Sequence, residues 1–254
     1  MFSLEIDCEP EERELLIAEL WEFGSEGIVE LDERRVRAFF AGGTNSRQLA
    51  ERFPGANRRE VAERDWVQAA RDLLQPMEVG ERFFLVPEWR DDPAPEGRFR
   101  IAVNPGMAFG TGVHETTQLA MEALERYVAP GASVLDVGTG SGILAAAAHL
   151  LGAAHVYGCD IDPVAMAIAG NGFVGSADAV KSGAVDVAVA NISPEAIVRL
   201  APELLRALKP GGVLLASGFE IHEVETVSGA LPEAREVKTK GDWALIVVET
   251  VKNG

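Results

Sequence analysis

Two hydrophobic periods alternate along the chain between Phe2 and Glu63. Apolar residues at every second position predict a strand over Phe2–Ile6, and apolar residues at helical spacing predict a helix over Glu11–Phe23. The further predicted elements are a hairpin of Gly27–Leu31 and Arg34–Phe40, a helix over Ser46–Phe53 and a strand over Arg58–Val61. This order is typical of the split β-α-β, or ferredoxin-like, α+β fold. Because the segment holds no cluster of catalytic residue types, we predict that residues 1–63 form a small recognition domain.

Residues 64–100 are predicted to connect two domains. A helix over Trp66–Leu74 and a strand over Arg82–Val86 precede Asp91–Gly97, whose proline, glycine and aspartate content predicts a loop. The aromatic residues of this connector are expected to pack against its neighbours, because no basic groove accompanies them to bind nucleic-acid bases.

From Ile101 onward, apolar strand-like runs alternate with helical patterns. Strands are predicted over Ser133–Val137, His155–Cys159, Gly172–Gly175, Asp186–Ala190 and Gly212–Ser217. Such alternation is typical of a parallel, doubly wound sheet of the Rossmann type. An antiparallel hairpin of Ala234–Thr239 and Trp243–Thr250 follows. The sequence therefore predicts an α/β domain over residues 101–254, with a parallel sheet and an antiparallel C-terminal hairpin.

The composition narrows the classes of function. The 254 residues are 47% apolar, which is enough to build the core of one large domain or two modest ones. No uncharged apolar run reaches the ~18 residues of a membrane span, and the first residues do not resemble a signal peptide. Cys8 and Cys159 are far apart and lack metal-ligand neighbours, which predicts reduced thiols, no metal site and a cytoplasmic protein.

The formal net charge is −17. A surface this acidic repels a phosphate backbone, so direct nucleic-acid binding is not expected. Two interpretations remain for the charge. It attracts a basic partner, such as a lysine-rich protein, or it serves solubility alone.

A glycine-rich turn follows the strand that begins the repeating pattern. Gly138, Gly140 and Gly142 alternate just after Asp136, and a helical pattern begins at once. About 20 residues further on, Asp160 ends the next strand, where a carboxylate can accept hydrogen bonds from ribose hydroxyls. The turn contains no arginine or lysine and is preceded by a carboxylate, which disfavours a phosphate ligand. A ligand that combines ribose with a cationic or zwitterionic group, such as S-adenosylmethionine, fits better.

A long motif, Asn104–Thr117, lies ahead of this turn and reads as a glycine-rich, lid-like loop leading into a helix. With it the chain resembles PrmA, the family of methyltransferases that modify protein eleven of the large ribosomal subunit. The resemblance rests on four motifs, which are Pro105–Thr117, Asp136–Gly142, Gly158–Pro163 and Ala190–Ile192. It extends over most of the chain, because that family also has a ferredoxin-like front domain and a helical linker.

The resemblance implies an S-adenosylmethionine-dependent protein methyltransferase. The front domain would bind a basic, lysine-bearing ribosomal protein, and lysine ε-amines and the N-terminal α-amine would be methylated repeatedly. Separately from the resemblance, we expect a monomer, no direct binding of nucleic acid and no membrane association. The implied cofactor contacts are Phe109, Thr111, Thr117, Asp136, Gly138, Gly140, Asp160, Ile161 and Asn191, and Asn191 would also be the catalytic residue beside the reacting centre.

Simpler roles remain open for several of these residues. Thr117 could serve only as a helix cap, His114 as a local structural residue rather than a base, and Asn191 as the end of a strand. Asp162 and Glu115 are candidate proton acceptors, and no general base is assigned. Two other functions also remain, namely a methyltransferase for another protein or a small molecule, and a catalytically weak binding protein that keeps the fold.

The chain departs from the family pattern at one place. Only Val164–Ala169 and a short glycine-containing turn separate Asp162 from Phe173, which allows roughly two helical turns where the family usually has a full helix. We therefore expect weaker cofactor binding or a mobile sheet edge there, with Ser176 or Asp178 as candidates for an adenine-edge contact.

Overall fold

The computed structural model describes residues 2–32, 34–60, 75–104, 114–170 and 172–251. The chain divides into two compact units, residues 1–75 and 76–254. The first unit consists of β1 (Phe2–Asp7), α1 (Arg13–Glu22), β2 (Gly27–Asp32), β3 (Arg35–Phe40), α2 (Ser46–Arg52) and β4 (Asn57–Glu60). This order of elements agrees with the prediction for the first segment. The predicted helix Trp66–Leu74 lies outside the described residues.

The first unit is an antiparallel sheet with helices packed on one face. The strand order is β2-β3-β1-β4, and β1 pairs with both β3 and β4. Alternate residues of β1 point to the same face of the sheet. Phe2, Leu4 and Ile6 accordingly form one buried cluster with Leu20 of α1 and Leu49 of α2.

The second unit is an α/β domain with two sheets. Its strands are β5 (Met77–Val79), β6 (Phe83–Pro87), β7 (Phe99–Val103), β8 (Ser133–Val137), β9 (His155–Asp160), β10 (Gly172–Val174), β11 (Val185–Asn191), β12 (Leu208–Glu220), β13 (Glu236–Lys240) and β14 (Trp243–Glu249). Its described helices are α3 (Glu115–Tyr127), α4 (Ile143–Leu150), α5 (Pro163–Ala169), α6 (Pro194–Ala207) and α7 (Val224–Ser228).

The larger sheet has the order β10-β9-β8-β11-β12-β14-β13. The five strands from β10 to β12 pair in parallel, whereas β14 is antiparallel to both β12 and β13. The predicted parallel sheet with an antiparallel hairpin is therefore present. None of the helices in the described ranges is long and apolar enough to cross a membrane.

Helices cover both faces of this sheet. On one face, Val134, Val187 and Leu215 pack with residues of α3 and α4 such as Leu124 and Ala147. On the other face, Leu135, Ala188 and Leu214 form a second cluster with Ile197 and Leu204 of α6. Strands buried on both faces read as nearly continuous apolar runs, which explains why the sequence predicts them well.

The segment predicted as a connector contains more strands than expected. One strand, Arg82–Val86, is predicted there, but the structure has a three-stranded sheet in the order β5-β6-β7, with β7 parallel to β6. Phe83 and Ile101 of this sheet pack into the same buried cluster as α3. Residues 76–100 therefore belong to the second unit and are more than a connector.

Local capping residues define the short helix α5 that follows β9. Asp162 caps α5 by accepting a hydrogen bond from the Val164 amide, 2.8 Å away, and Pro163 occupies the first turn, where its missing N–H costs nothing. Gly170 ends the helix in the left-handed conformation, with a φ of 71°. Only three residues of β10 then pair with β9, so the sheet ends in a very short edge strand.

Candidate functional site

Three neighbouring parallel strands end at one place in the larger sheet. β8 lies between β9 and β11, and the chain passes from β8 to β9 on one side before it reaches β11 on the other. Sheets of this kind bind ligands at the carboxyl ends of the strands, where the strand order reverses. Asp136, Asp160 and Asn191 lie at or next to these carboxyl ends, so the sheet gathers three of the predicted site residues.

The glycine-rich turn folds tightly against the strands. The amides of Gly138 and Thr139 both donate to the Cys159 carbonyl, at 2.8 and 3.1 Å, and Gly138 has a φ of 71°. A Cβ at residue 138 would lie 2.2 Å from Cγ2 of Ile192, so both the backbone conformation and the space favour glycine. The turn thus keeps its backbone close to the ends of β9 and β11.

Asp136 is completely buried below this turn. One carboxylate oxygen accepts hydrogen bonds from the Thr139 hydroxyl at 2.7 Å and from the Ala145 amide at 3.1 Å. The other oxygen, Oδ1, has no partner among the described residues. Burial raises the pKa of Asp136 to about 6, although the two hydrogen bonds oppose this shift and the nearby Asp160 carboxylate adds to it.

Asp160 supports the turn from the end of β9. Its Oδ2 accepts the Gly140 amide at 3.0 Å, and its Oδ1 accepts the Asp162 amide at 3.0 Å. A carboxylate can accept about four hydrogen bonds, so further lone pairs are left for ligand hydroxyls. The next residue, Ile161, has 78% of its surface exposed and can therefore contact a bound molecule.

The first turn of α3 lies against the ends of β11 and β12. His114 caps the helix, because its Nδ1 accepts the Thr116 amide at 3.3 Å, which agrees with the structural role considered for it. Thr117 is 1% exposed, and its hydroxyl accepts a hydrogen bond from the Asn191 amide nitrogen at 3.3 Å. The side-chain oxygen of Asn191, Oδ1, is buried and has no partner in the described part of the chain.

Two residues of this site escaped the sequence analysis. Thr139 binds the Asp136 carboxylate, and the buried Ser217 of β12 donates to the Ala244 carbonyl at 3.0 Å and reaches the Thr116 carbonyl at 3.5 Å. A signal for Ser217 existed, because it is a polar residue at the end of the apolar run Val213–Ala216. Thr139 lies within the glycine motif, and the prediction for that motif used only its glycines and Asp136.

The structure therefore gathers seven of the nine predicted site residues. These are Thr117, Asp136, Gly138, Gly140, Asp160, Ile161 and Asn191. Phe109 and Thr111 lie outside the described residues, so their contacts remain predictions. Asp162, a candidate proton acceptor, serves as the cap of α5.

The residues of the site fit S-adenosylmethionine. The cofactor carries ribose hydroxyls, an α-amino group and a sulfonium cation, but no phosphate. Asp160 offers free lone pairs to hydroxyls, the buried oxygens of Asp136 and Asn191 lack partners within the described ranges, and residues 136–142 include no basic side chain. Unpaired buried acceptors beside two carboxylates favour a ligand with donors and positive charge.

Comparison with known proteins assigns the family. Residues 44–251 match the family model described as ribosomal protein L11 methyltransferase (PrmA). The chain belongs to the ribosomal protein L11 methyltransferase family. This membership confirms the predicted methyltransferase fold and enzyme class, with S-adenosylmethionine as the cofactor.

Individual members of the L11 methyltransferase family agree with this match. The ribosomal protein L11 methyltransferase of Pelotomaculum thermopropionicum is 42% identical over 240 residues, which cover 84% of this chain and 78% of the relative. That of Symbiobacterium thermophilum is 45% identical over 186 residues, which cover 69% of this chain and 61% of the relative, less than two thirds of its length. Among solved structures, the ribosomal protein L11 methylase of Lactobacillus delbrueckii subsp. bulgaricus matches with a TM-score of 0.63 and 33% identity, covering 71% of this chain and 100% of that one.

Proposed function

We propose that this protein transfers methyl groups from S-adenosylmethionine to amines of ribosomal protein L11, both lysine ε-amines and the N-terminal α-amine. The names of the relatives support the substrate. The main structural support for the reaction is the buried side-chain oxygen of Asn191, Oδ1, at the end of β11. It has no partner within the described residues. A neutral amine has N–H donors for such an oxygen and a lone pair that is free to attack.

The chemistry requires positioning more than activation. The bound cofactor supplies a methyl group on a positively charged sulfur, which leaves as a neutral thioether when the amine nitrogen bonds to the methyl carbon. Asp160 and Ile161 would hold the adenosine side, and the turn at Gly138 and Gly140 would support it. Asn191 would accept an N–H of the substrate amine and so direct its lone pair at the methyl carbon.

The substrate amine must lose a proton before or during the reaction. A lysine amine has a reference pKa of about 10.4, and burial in the site favours its neutral form. Asp162 is engaged as a helix cap, so its geometry favours a structural role. We assign no general base to the chain, and water can take the proton.

We further propose that the first unit is a ferredoxin-like domain that recognises the substrate. Its strand order, β2-β3-β1-β4, supports the fold assignment. Leu15 and Trp21 of α1 are 74% and 52% exposed, on a helix whose Leu16 and Leu20 face the core. Residues 9–30 carry eight glutamates and one arginine, so an apolar contact in an acidic surrounding suits a basic protein.

A methyl-transfer assay with purified ribosomal protein L11 tests the main proposal. Mass spectrometry of L11 after incubation with the enzyme and S-adenosylmethionine is expected to show added methyl groups on lysines and the N-terminus. Asn191→Ala is expected to lower kcat at least about tenfold, because the substrate amine loses its acceptor. Asp160→Asn is expected to raise the cofactor Kd about tenfold, since one charged hydrogen-bond acceptor is lost.

The matched control is Asp91→Asn, which removes an exposed carboxylate from the loop after β6. It should leave both constants unchanged. If the wild-type protein binds the cofactor but leaves L11 unmodified while methylating another protein or a small molecule, the substrate assignment is wrong. If it does not bind the cofactor, the protein is a binding protein that keeps only the fold.

A second experiment tests recognition by α1. The double change Leu15→Ser and Trp21→Ser should raise the KM for L11 about tenfold or more and leave the cofactor Kd unchanged, because only the protein contact loses apolar area. Val237→Ser removes a 44% exposed apolar side chain from β13 and serves as the control. An unchanged KM in the double variant would place substrate recognition elsewhere.

A further inference from the structure

Thr117 contacts Asn191 across a sequence separation of 74 residues. The Asn191 amide nitrogen donates to the Thr117 hydroxyl at 3.3 Å, and the Asn191 carbonyl oxygen has no partner among the described residues. Resemblance to relatives suggests a different role for Thr117, as a contact of the cofactor. We propose that Thr117 is instead a positioning residue, which holds the Asn191 amide so that its oxygen is free to accept the substrate amine.

The reason lies in the two unlike ends of an amide. One end donates two hydrogen bonds and the other accepts, so an amide that turns over presents donors where acceptors were. Substrate N–H groups need the acceptor. The Thr117 hydroxyl accepts from the side-chain nitrogen of Asn191 and so holds the amide in place. A hydroxyl can also donate, so the substrate N–H groups select which end of the held amide faces them. An apolar residue at 117 would leave the amide without this partner and poorly fixed.

Thr117 is held firmly enough for this role. It is 1% exposed, and its own amide donates to the His114 carbonyl at 3.0 Å within the capped first turn of α3. The preceding carbonyl, of Thr116, lies 3.5 Å from the Ser217 hydroxyl of β12. A residue that orients another must itself be fixed by packing and hydrogen bonds. The first turn of α3 meets this condition.

This inference rests on the proposed transfer to an amine. Experiments can distinguish a positioning role of Thr117 from a contact with the cofactor. Removal of a cofactor contact weakens cofactor binding. Removal of an orienting contact leaves cofactor binding intact and lowers kcat, because only the reacting geometry suffers.

The first test replaces Thr117 with valine, which keeps the shape but loses the hydroxyl. The kcat for L11 is expected to fall threefold to tenfold, the effect of one hydrogen bond, while the S-adenosylmethionine Kd measured by calorimetry stays within twofold. Thr117→Ser should restore most of the activity. Thr226→Val, on the exposed side of α7, is the control and should change neither constant.

A double-mutant cycle then asks whether Thr117 acts through Asn191. In the Asn191→Ala background, Thr117→Val should cause no further loss of kcat, because the amide that Thr117 orients is gone. Independent, multiplicative losses would overturn the proposal. A raised cofactor Kd with an unchanged kcat would also overturn it, because that result would identify Thr117 as a contact of the cofactor.

A third readout does not depend on turnover. In a 15N-labelled protein, the side-chain amide signals of Asn191, identified by their loss in Asn191→Asp, should shift in Thr117→Val and stay in place in Thr226→Val. If the wild-type enzyme does not methylate L11, the proposed substrate is wrong. The Asn191 signals would still show whether Thr117 contacts the Asn191 side chain. Unmoved Asn191 signals in Thr117→Val would refute the positioning role in either case.

Discussion

At the scale of single residues, the site contains one fully buried carboxylate among its described residues, that of Asp136. It is completely buried, and only one of its oxygens is hydrogen-bonded to described residues. Burial raises its pKa to about 6, so it titrates well above the ordinary range of an aspartate. Proteins accept such a cost at functional sites more often than elsewhere.

This raised pKa predicts a specific pH dependence of stability. Between the ordinary aspartate pKa of 3.8 and the raised value of about 6, the folded state binds more protons than the unfolded state, so the free energy of unfolding falls as pH rises through this window. The loss from this one group, about 3 kcal/mol, is complete above the folded pKa. Asp136→Asn has no carboxylate to ionise and escapes the loss.

Denaturant unfolding of the cofactor-free protein at pH 5.5 and pH 8 checks this prediction. The free energy of unfolding of Asp136→Asn, relative to wild type, should be higher at pH 8 than at pH 5.5. Comparison of the two proteins cancels the other titrating groups. A difference between them that does not change with pH would show that Asp136 has an ordinary pKa.

Much of the site could be predicted at this scale, but only where residues lie next to a strand. Asp136 lies one residue before the end of β8 and Asp160 ends β9, and parallel strands bring such ends together. The contact between Thr117 and Asn191 could not be predicted, because it depends on where α3 packs against the sheet. No local pattern encodes a distance across 74 residues.

At the scale of elements, apolar runs and turn residues located most strands of the second unit. β5 was missed because three residues are too few to show a period. β12 runs from Leu208 to Glu220, well beyond the predicted Gly212–Ser217. Its Pro210-Gly211-Gly212 reads as a turn, yet Leu208 still pairs with Val185 across an irregular register. Pairing with a neighbour overrides the local signal there.

The short edge strand β10 supports a prediction about Gly172. This glycine has a φ of 148°, and a Cβ there would lie 2.0 Å from the Gly158 carbonyl oxygen of β9. Because a backbone oxygen cannot move aside as a side chain can, Gly172→Ala should separate β10 from β9 and lower the free energy of unfolding by about 3 kcal/mol. Asp160 ends β9, so the cofactor Kd should also rise.

Gly131→Ala isolates the contribution of backbone strain. Gly131 also has a positive φ, of 85°, but nothing within 4 Å of the added Cβ. We expect a cost of about 1 kcal/mol and no change in the cofactor Kd. Thermal unfolding and calorimetry of the two variants decide the matter. Equal losses of stability would mean that the edge tolerates the overlap.

At the scale of the whole molecule, the dominant property is a net charge of −17. The sequence predicted two parts with different folds, and the described residues do form two compact units. Which part binds the substrate and which binds the cofactor stays a prediction, as do the monomeric state and the cytoplasmic location. The charge has two interpretations, attraction of a basic partner and solubility.

Salt can separate these two interpretations. If the acidic surface attracts basic L11, raising the salt concentration from 0.05 to 0.5 M should increase the KM for L11 several-fold, because screening shortens the range of the attraction. The cofactor Kd should change much less, since its contacts are short and partly buried. Steady-state kinetics and calorimetry at both salt concentrations measure the two effects. A KM that is independent of salt would leave solubility as the role of the charge.

The position of β14 in the sheet also constrains the order of events during folding. β14 is made after β12 and β13, yet it lies between them, and in the described part of the chain β13 pairs with β14 alone. During synthesis, β13 therefore has no strand to pair with until β14 has been made. Until then the edge of β12 that pairs with β14 is also unpaired. The sheet cannot grow strand by strand in the order of the sequence. The antiparallel end of the sheet can form only after β14 has been made.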